Sequence, residues 1–139
     1  MTARGVARGA ARGVDAPPPP GPARALAALR AIGRKLPGVA ETVTFGHPTF
    51  QVAGRTFAVF ERCRGRWTVA FKTDGLVQQE LIETMPERCF VTPYVGRHGG
   101  VSLVVDGRFD RRALARHVEA SHRLLAPRRG SSARNARRR

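Results

Sequence analysis

Between residues 44 and 72 the apolar side chains fall on every second position, as in Phe50/Val52, Phe57/Val59 and Trp67/Val69/Phe71. That period belongs to strands with one face buried, because a helix would repeat its apolar positions every three or four residues. The same stretch holds five of the seven phenylalanines and the only tryptophan, side chains that suit a pleated, half-buried surface. Turn signals at Ala53-Gly54-Arg55 and Arg62-Cys63-Arg64-Gly65 fall where successive hairpins need them. The pattern predicts an antiparallel meander from about Val43 to Thr73, and its apolar face needs a cover.

The flanking segments supply that cover. Leu26, Leu29, Gly33 and Leu36, with Ile32 beside them, make one stripe at helical spacing and predict a helix over 23–36. Arg30, Arg34 and Lys35 face away from the stripe, and Pro37-Gly38 stops the helix. Asp74 can cap a second helix over about 75–84, with Leu76, Val77, Leu81 and Ile82 inward and Pro86 beyond its end. Cys89-Phe90-Val91 reads as a short strand, 92–100 as a long turn, and Val101/Leu103/Val105 as one more alternating strand. Asp110 can cap the last helix, about 111–125, with the stripe Leu114, Val118, Ser121 and Leu125. The fold class is therefore α+β: an antiparallel sheet of about five strands with helices packed on one face.

A chain of 139 residues has room for one domain. Residues 1–22 repeat Arg-Gly at 4, 8 and 12 and run into Pro17-Pro18-Pro19-Pro20-Gly21-Pro22. They bury too little apolar surface to offset ordering entropy, so a disordered arm is expected there. Residues 23–127 form the domain, and 128–139 a disordered basic tail. The formal net charge is +15, of which the arm carries +2 and the tail +6, leaving +7 in 23–127. A surplus of that size favours polyanionic partners. Arginine outnumbers lysine 23 to 2, which a G+C-rich coding sequence also produces whatever the function, so both explanations stay open. Cys63 and Cys89 show no zinc spacing and are expected to be two reduced thiols. No apolar run approaches the ~20 residues that cross a bilayer, and a cytoplasmic location without membrane association is expected.

Several short motifs occur in one order: Leu36-Pro37-Gly38-Val39, Phe45-Gly46-His47-Pro48-Thr49-Phe50, Gly54-Arg55-Thr56-Phe57-Ala58, Lys72-Thr73-Asp74, Pro93-Tyr94-Val95-Gly96 and Ser121-His122-Arg123-Leu124-Leu125-Ala126-Pro127. Together they resemble the MmcQ/YjbR family over roughly 36–127. The resemblance implies a frataxin-like (CyaY-like) α–β–α arrangement and DNA as the partner class, and it supplies no mechanism. Family members usually carry a Gly-Trp pair soon after the tyrosine turn, where this chain has Gly99-Gly100, so no role of that tryptophan carries over. Frataxins are associated with iron through an acidic ridge on the first helix. Here no acid lies between 16 and 40, and hard cations need carboxylate oxygen, so no metal is expected.

Arginine suits phosphate because its planar fork donates in pairs. Arg62, Arg64 and Arg66 cluster at one hairpin tip and Arg55 marks the other. With Lys72, Arg97 and His98 they form the candidate nucleic-acid-binding set, two basic wings lying against a phosphate backbone. The alternative is a small ligand- or protein-binding domain with its site at the His47/Tyr94/Arg97 loops. As a base, His47 would need a nearby carboxylate and a substrate pocket, and neither is evident in the sequence. His117 and His122 are five apart on a helix, hence on different faces, and make a poor metal pair. No catalytic residue and no cofactor are assigned. The expectation is a monomeric, non-enzymatic protein that binds DNA with little sequence preference.

Overall fold

Three dipeptides turn the chain back on itself in succession: Phe45-Gly46, Ala53-Gly54 and Arg64-Gly65. Both residues of each have positive φ, at 51° and 82°, 52° and 77°, and 56° and 77°. Positive φ at both central positions is the two-residue turn whose twist matches that of paired strands. The flanking pairs Thr44–His47, Val52–Arg55 and Cys63–Arg66 close each hairpin. Glycine in second place lets the chain take this conformation without steric cost.

The computed structural model describes residues 17–93 and 96–128. Most of the arm and the tail, together with Tyr94, lie outside the described residues. In chain order the elements are α1 (Pro20–Lys35), β1 (Val39–Thr44), β2 (His47–Val52), β3 (Arg55–Cys63), β4 (Arg66–Lys72), α2 (Gly75–Thr84), β5 (Cys89–Val91), a 3-10 turn (Gly96–His98), β6 (Gly100–Val104) and α3 (Arg111–Leu125). The sheet is six-stranded and antiparallel, in the order β1-β2-β3-β4-β6-β5. The sixth strand is β1, whose Val-Ala-Glu-Thr-Val-Thr sequence lies at an edge and buries nothing fully. α1 starts at Pro20, so Pro20–Pro22 belongs to the helix and not to the arm. Proline fits the first helical turn, where its missing N–H has no partner to lose, and Pro22 is buried.

One face of the sheet meets the helices. Phe50, Ala58, Phe60, Val69, Phe71, Val101, Leu103 and Cys89 pack there with Ala25, Leu29 and Ile32 of α1, Leu81 of α2, and Leu114 and Val118 of α3. Burying each large side chain contributes about 1.5–3 kcal/mol. Asp74 accepts from the Val77 N–H at 2.8 Å, and Asp110 from the Arg112 and Ala113 N–H groups at 2.9 and 3.1 Å. These are the expected N-caps of α2 and α3. α1 and α3 lie side by side. Gly21 at the start of α1 abuts the backbone of Gly107, just before α3. At the other end His122 Nε2 donates to the Pro37 carbonyl at 2.9 Å. The two helices therefore run parallel.

The hairpin of β2 and β3 contains one irregularity that sets the rest. Val52 pairs with Arg55 and Gln51 with Thr56, but Phe50 pairs with Ala58 and Thr49 with Val59. Phe57 is the extra residue of a β-bulge. The bulge turns both Phe57 and Ala58 into the core, at 1 % exposure each. Phe57 meets the His122 ring edge-on at 5.2 Å.

Candidate functional site: the uncovered sheet face and the basic helical layer

Directly paired residues share a face. The register joins Thr49 to Val59, Val59 to Ala70, Ala70 to Ser102 and Ser102 to Phe90, a row on the face opposite the helices. Small side chains dominate it, and their hydroxyls are satisfied nearby. Thr49 Oγ1 donates to the His47 carbonyl at 2.8 Å, Thr68 Oγ1 to the Glu61 carbonyl at 3.1 Å, and Thr92 and Ser102 share a hydrogen bond at 3.0 Å. Towards the Lys72 end this face opens into a groove of about 660 Å³. Val59 and Ala70 form its floor, Phe57, Pro93 and Leu125 its apolar walls, and Arg55, Lys72, His98 and Glu61 its charged or titratable groups.

The seven residues of the nucleic-acid set separate into two groups. Hairpin tips on opposite ends of β3 keep Arg55 away from Arg62, Arg64 and Arg66. Arg55, Lys72 and His98 come together at the groove, and Arg97 Nε donates to His98 Nε2 at 3.2 Å. At the far tip, Arg62 lies 5.6 Å over Trp67 and Arg64 4.9 Å over Phe90, while Arg66 pairs with Asp106 at 3.0 Å. Arg62 also donates to the Gly65 carbonyl at 3.1 Å, closing its own turn. These three arginines thus each have an intramolecular partner. Phe45, 91 % exposed at the neighbouring β1–β2 tip, adds an aromatic ring to that end of the sheet.

His47 is the first residue of β2, just past the turn. Continuing the Thr49–Val59 register by two residues brings it opposite Glu61. Glu61 is half-buried, and burial pushes its carboxyl up from the ordinary glutamate value of 4.5 while the charge of His47 pulls it back. Here is the carboxylate that sequence reasoning did not supply for His47. Its signal was hidden by the bulge, since an unbroken hairpin register would have opposed His47 to Phe60 instead. Burial likewise pushes up the thiols of Cys63 and Cys89, which are unbridged, as expected. Thiols held protonated in this way are poor nucleophiles. Among the described residues no group of three or more His, Cys, Asp or Glu could hold a metal ion, and no helix is long and apolar enough to cross a membrane.

The site reading of the sequence also passed over the outer side of the helical layer. α1 carries Arg24, Arg30, Arg34 and Lys35 with no acid, and α3 carries Arg111, Arg112, Arg116 and Arg123 against Glu119 alone. All eight basic residues are exposed. α2 is opposite in sign, with Glu80 and Glu83 and no base. Among the described residues one of the eight has a salt-bridge partner, Arg30, whose guanidinium meets Glu41 at 2.8 Å. The signal was legible residue by residue. What it lacked was the parallel packing of α1 on α3, which merges two basic stripes into one surface.

The YjbR family model matches residues 34–124, which takes in every strand, α2 and nearly all of α3. A crystal structure of the Deinococcus radiodurans protein DR2400, with a domain of the DUF419 family model, superposes with a TM-score of 0.62 at 21 % identity. The superposition covers 70 % of this chain and 75 % of that one. At that identity the likeness speaks for the fold. No curated protein matches the chain. On the family match and the architecture it covers, this chain belongs to the YjbR family.

Proposed function

We propose that this chain is a non-enzymatic nucleic-acid-binding module that holds duplex DNA by its phosphates, with little sequence preference. The observation that carries the reading is the segregation of charge: eight exposed basic residues against one acid across α1 and α3, while α2 is acidic. The other eight basic residues of 23–127 are matched by eight acids, so the net charge of +7 sits on these two adjacent parallel helices. A net positive surface of that kind favours a polyanion partner. The helical layer carries most of the binding in this reading. The Arg62/Arg64/Arg66 tip contributes less, because each guanidinium already has a partner within the fold.

Phosphate contacts position a protein on DNA without reading bases. The exposed positions of α1 and α3 are seven arginines, Lys35, Ala27, Pro20 and Leu124, without the Asn and Gln that read adenine in the major groove. The test is fluorescence anisotropy with a labelled 20-base-pair duplex. The triple reversal Arg34→Glu, Arg116→Glu and Arg123→Glu should weaken binding by tenfold or more. Arg62→Glu with Arg64→Glu should weaken it less. Equal affinity of the helical reversal and the parent chain would overturn the reading.

A further inference from the structure

We propose that the groove on the uncovered sheet face binds a small molecule with an apolar body and a single anionic head, a carboxylate or a phosphate monoester. The site opens on the sheet face away from the basic residues of the helical layer, and one residue of that layer, Leu125 at the end of α3, reaches its wall. Its volume of about 660 Å³ falls within the ~300–1,000 Å³ typical of small-molecule sites. The floor and walls at Val59, Ala70, Phe57, Pro93 and Leu125 are apolar, and Arg55, Lys72 and His98 border them. An apolar hollow with a few convergent charged groups is the form such sites take.

The sign of the head follows from the rim. Among the described residues neither Arg55 nor Lys72 has a carboxylate within salt-bridge distance. Lys72 is half-buried, and its backbone is fixed on both sides, by pairing with Gly100 and by its N–H donating to Ser121 Oγ at 2.9 Å. A bound anion would supply the counter-ion that these two cations lack. Among the described residues the one acid lining the groove is Glu61. Burial works against its charged form, so it opposes an anionic head less than an exposed carboxylate would. A cationic ligand would face two or three positive groups and one reluctant carboxylate. Inorganic phosphate alone would leave the apolar floor uncovered.

The probe is 8-anilino-1-naphthalenesulfonate, an anion on an aromatic body, titrated by fluorescence against the full chain. Decanoate and decyl phosphate are then added as competitors, beside decanol and inorganic phosphate. The expected result is displacement by one or both of the first pair and at least tenfold weaker competition by each of the second pair. The better of decanoate and decyl phosphate identifies the head. Arg55→Ala with Lys72→Ala should weaken the probe at least fivefold, and Val59→Trp, which fills the floor, should do the same. Arg34→Glu on the helical layer should leave it unchanged. Amide shifts on ligand addition should centre on Ala70 and Gly100 in two-dimensional NMR spectra, a readout that does not depend on any variant folding. Decanol competing as well as decanoate, inorganic phosphate competing as well as decyl phosphate, or amide shifts confined to α1 and α3 would each overturn the proposal.

Discussion

Ser121 Oγ donates to the carbonyl of Phe57 at 2.7 Å, joining α3 to the bulge of β3 across 64 residues of sequence. The same hydroxyl accepts from the Lys72 N–H at 2.9 Å. The β3–β4 ladder ends at Ala58–Phe71, so Phe57 and Lys72 have no ladder partner in each other, and the serine stands between them. A part-buried backbone donor and a buried acceptor are thereby satisfied by one side chain. The bulge gives both Phe57 and Ala58 to the core and depends on a polar residue in the apolar stripe of α3.

Ser121→Ala should therefore cost more than a typical single hydrogen bond. It strands both the Phe57 carbonyl and the Lys72 N–H, at about 1–3 kcal/mol for a buried group left unsatisfied. Urea denaturation followed by far-ultraviolet circular dichroism should show a lower midpoint with an unchanged slope. A loss below about 0.5 kcal/mol would mean that water replaces the hydroxyl and that the site is less closed than its 0 % exposure indicates.

Glu61 gives a pH signature. Its carboxyl is raised above 4.5 by burial, offset in part by His47, so the folded state binds its proton more tightly than the unfolded chain does. Its contribution to stability is complete below about pH 4.5 and is lost as pH rises through the folded-state value. At pH 7 the ionised side chain is a cost. Glu61→Gln should raise the urea midpoint at pH 7, and the gain should shrink as pH falls towards 4.5. His47→Ala removes the lowering influence, so the Glu61 carboxyl carbon should titrate at higher pH in an NMR series. A Glu61 titration unmoved by His47→Ala would show that the two do not face one another.

Most of the fold was legible because its determinants are local. Alternation at Phe50/Val52 and Trp67/Val69/Phe71, the Asp74 and Asp110 caps, and the Ala53-Gly54 and Arg64-Gly65 turns each act within a few residues. The site was not, because its determinants are long-range. One extra residue at Phe57 shifts every cross-strand pair beyond it, and no local pattern marks that residue as bulged rather than paired. The grouping of Arg55 with Lys72 and His98 depends on β6 inserting between β4 and β5, an order that periodicity does not encode. The wing arginines looked equivalent in sequence, whereas Trp67, Phe90 and Asp106 treat them differently. Spacing puts Ser121 with Leu114, Val118 and Leu125 in the inward stripe of the last helix, and its hydroxyl also binds the backbone of two strands.

Gly99 holds the loop that borders the groove. Its φ is +91°, and a Cβ there would run into the carbonyl oxygen of Thr73. The close approach is used: the Thr73 N–H and Oγ1 both donate to the Gly99 carbonyl, at 2.8 and 2.9 Å. Gly99→Ala combines a strained backbone with a backbone clash, each costing about 1–3 kcal/mol. The variant should lose roughly 2–4 kcal/mol of stability, and amide exchange at Thr73 should accelerate. Gly107→Ala, where a Cβ meets nothing within 4 Å, is the control and should change stability by less than about 1 kcal/mol.

Salt dependence distinguishes phosphate contact from any other mode of DNA binding. A chain that neutralises about four to six phosphates releases as many counter-ions, giving a slope of log K against log[salt] of roughly −4 to −5. Between 50 and 200 mM salt that is a loss of roughly 250- to 1,000-fold. The terminal arginines complicate the measurement, since 129–139 alone holds five and any such segment attracts DNA. The slope is therefore compared between the full chain and one ending at Arg128. The shortened chain should bind more weakly at every salt concentration yet keep a slope of at least −3. Two duplexes of equal length and different sequence should bind it within threefold of each other, because phosphate contacts do not distinguish bases. In the shortened chain Arg34→Glu, Arg116→Glu and Arg123→Glu should bring the slope to about −1 or less. Loss of all binding on removal of 129–139 would assign the DNA contact to that segment, and the basic surface of α1 and α3 would then need another partner.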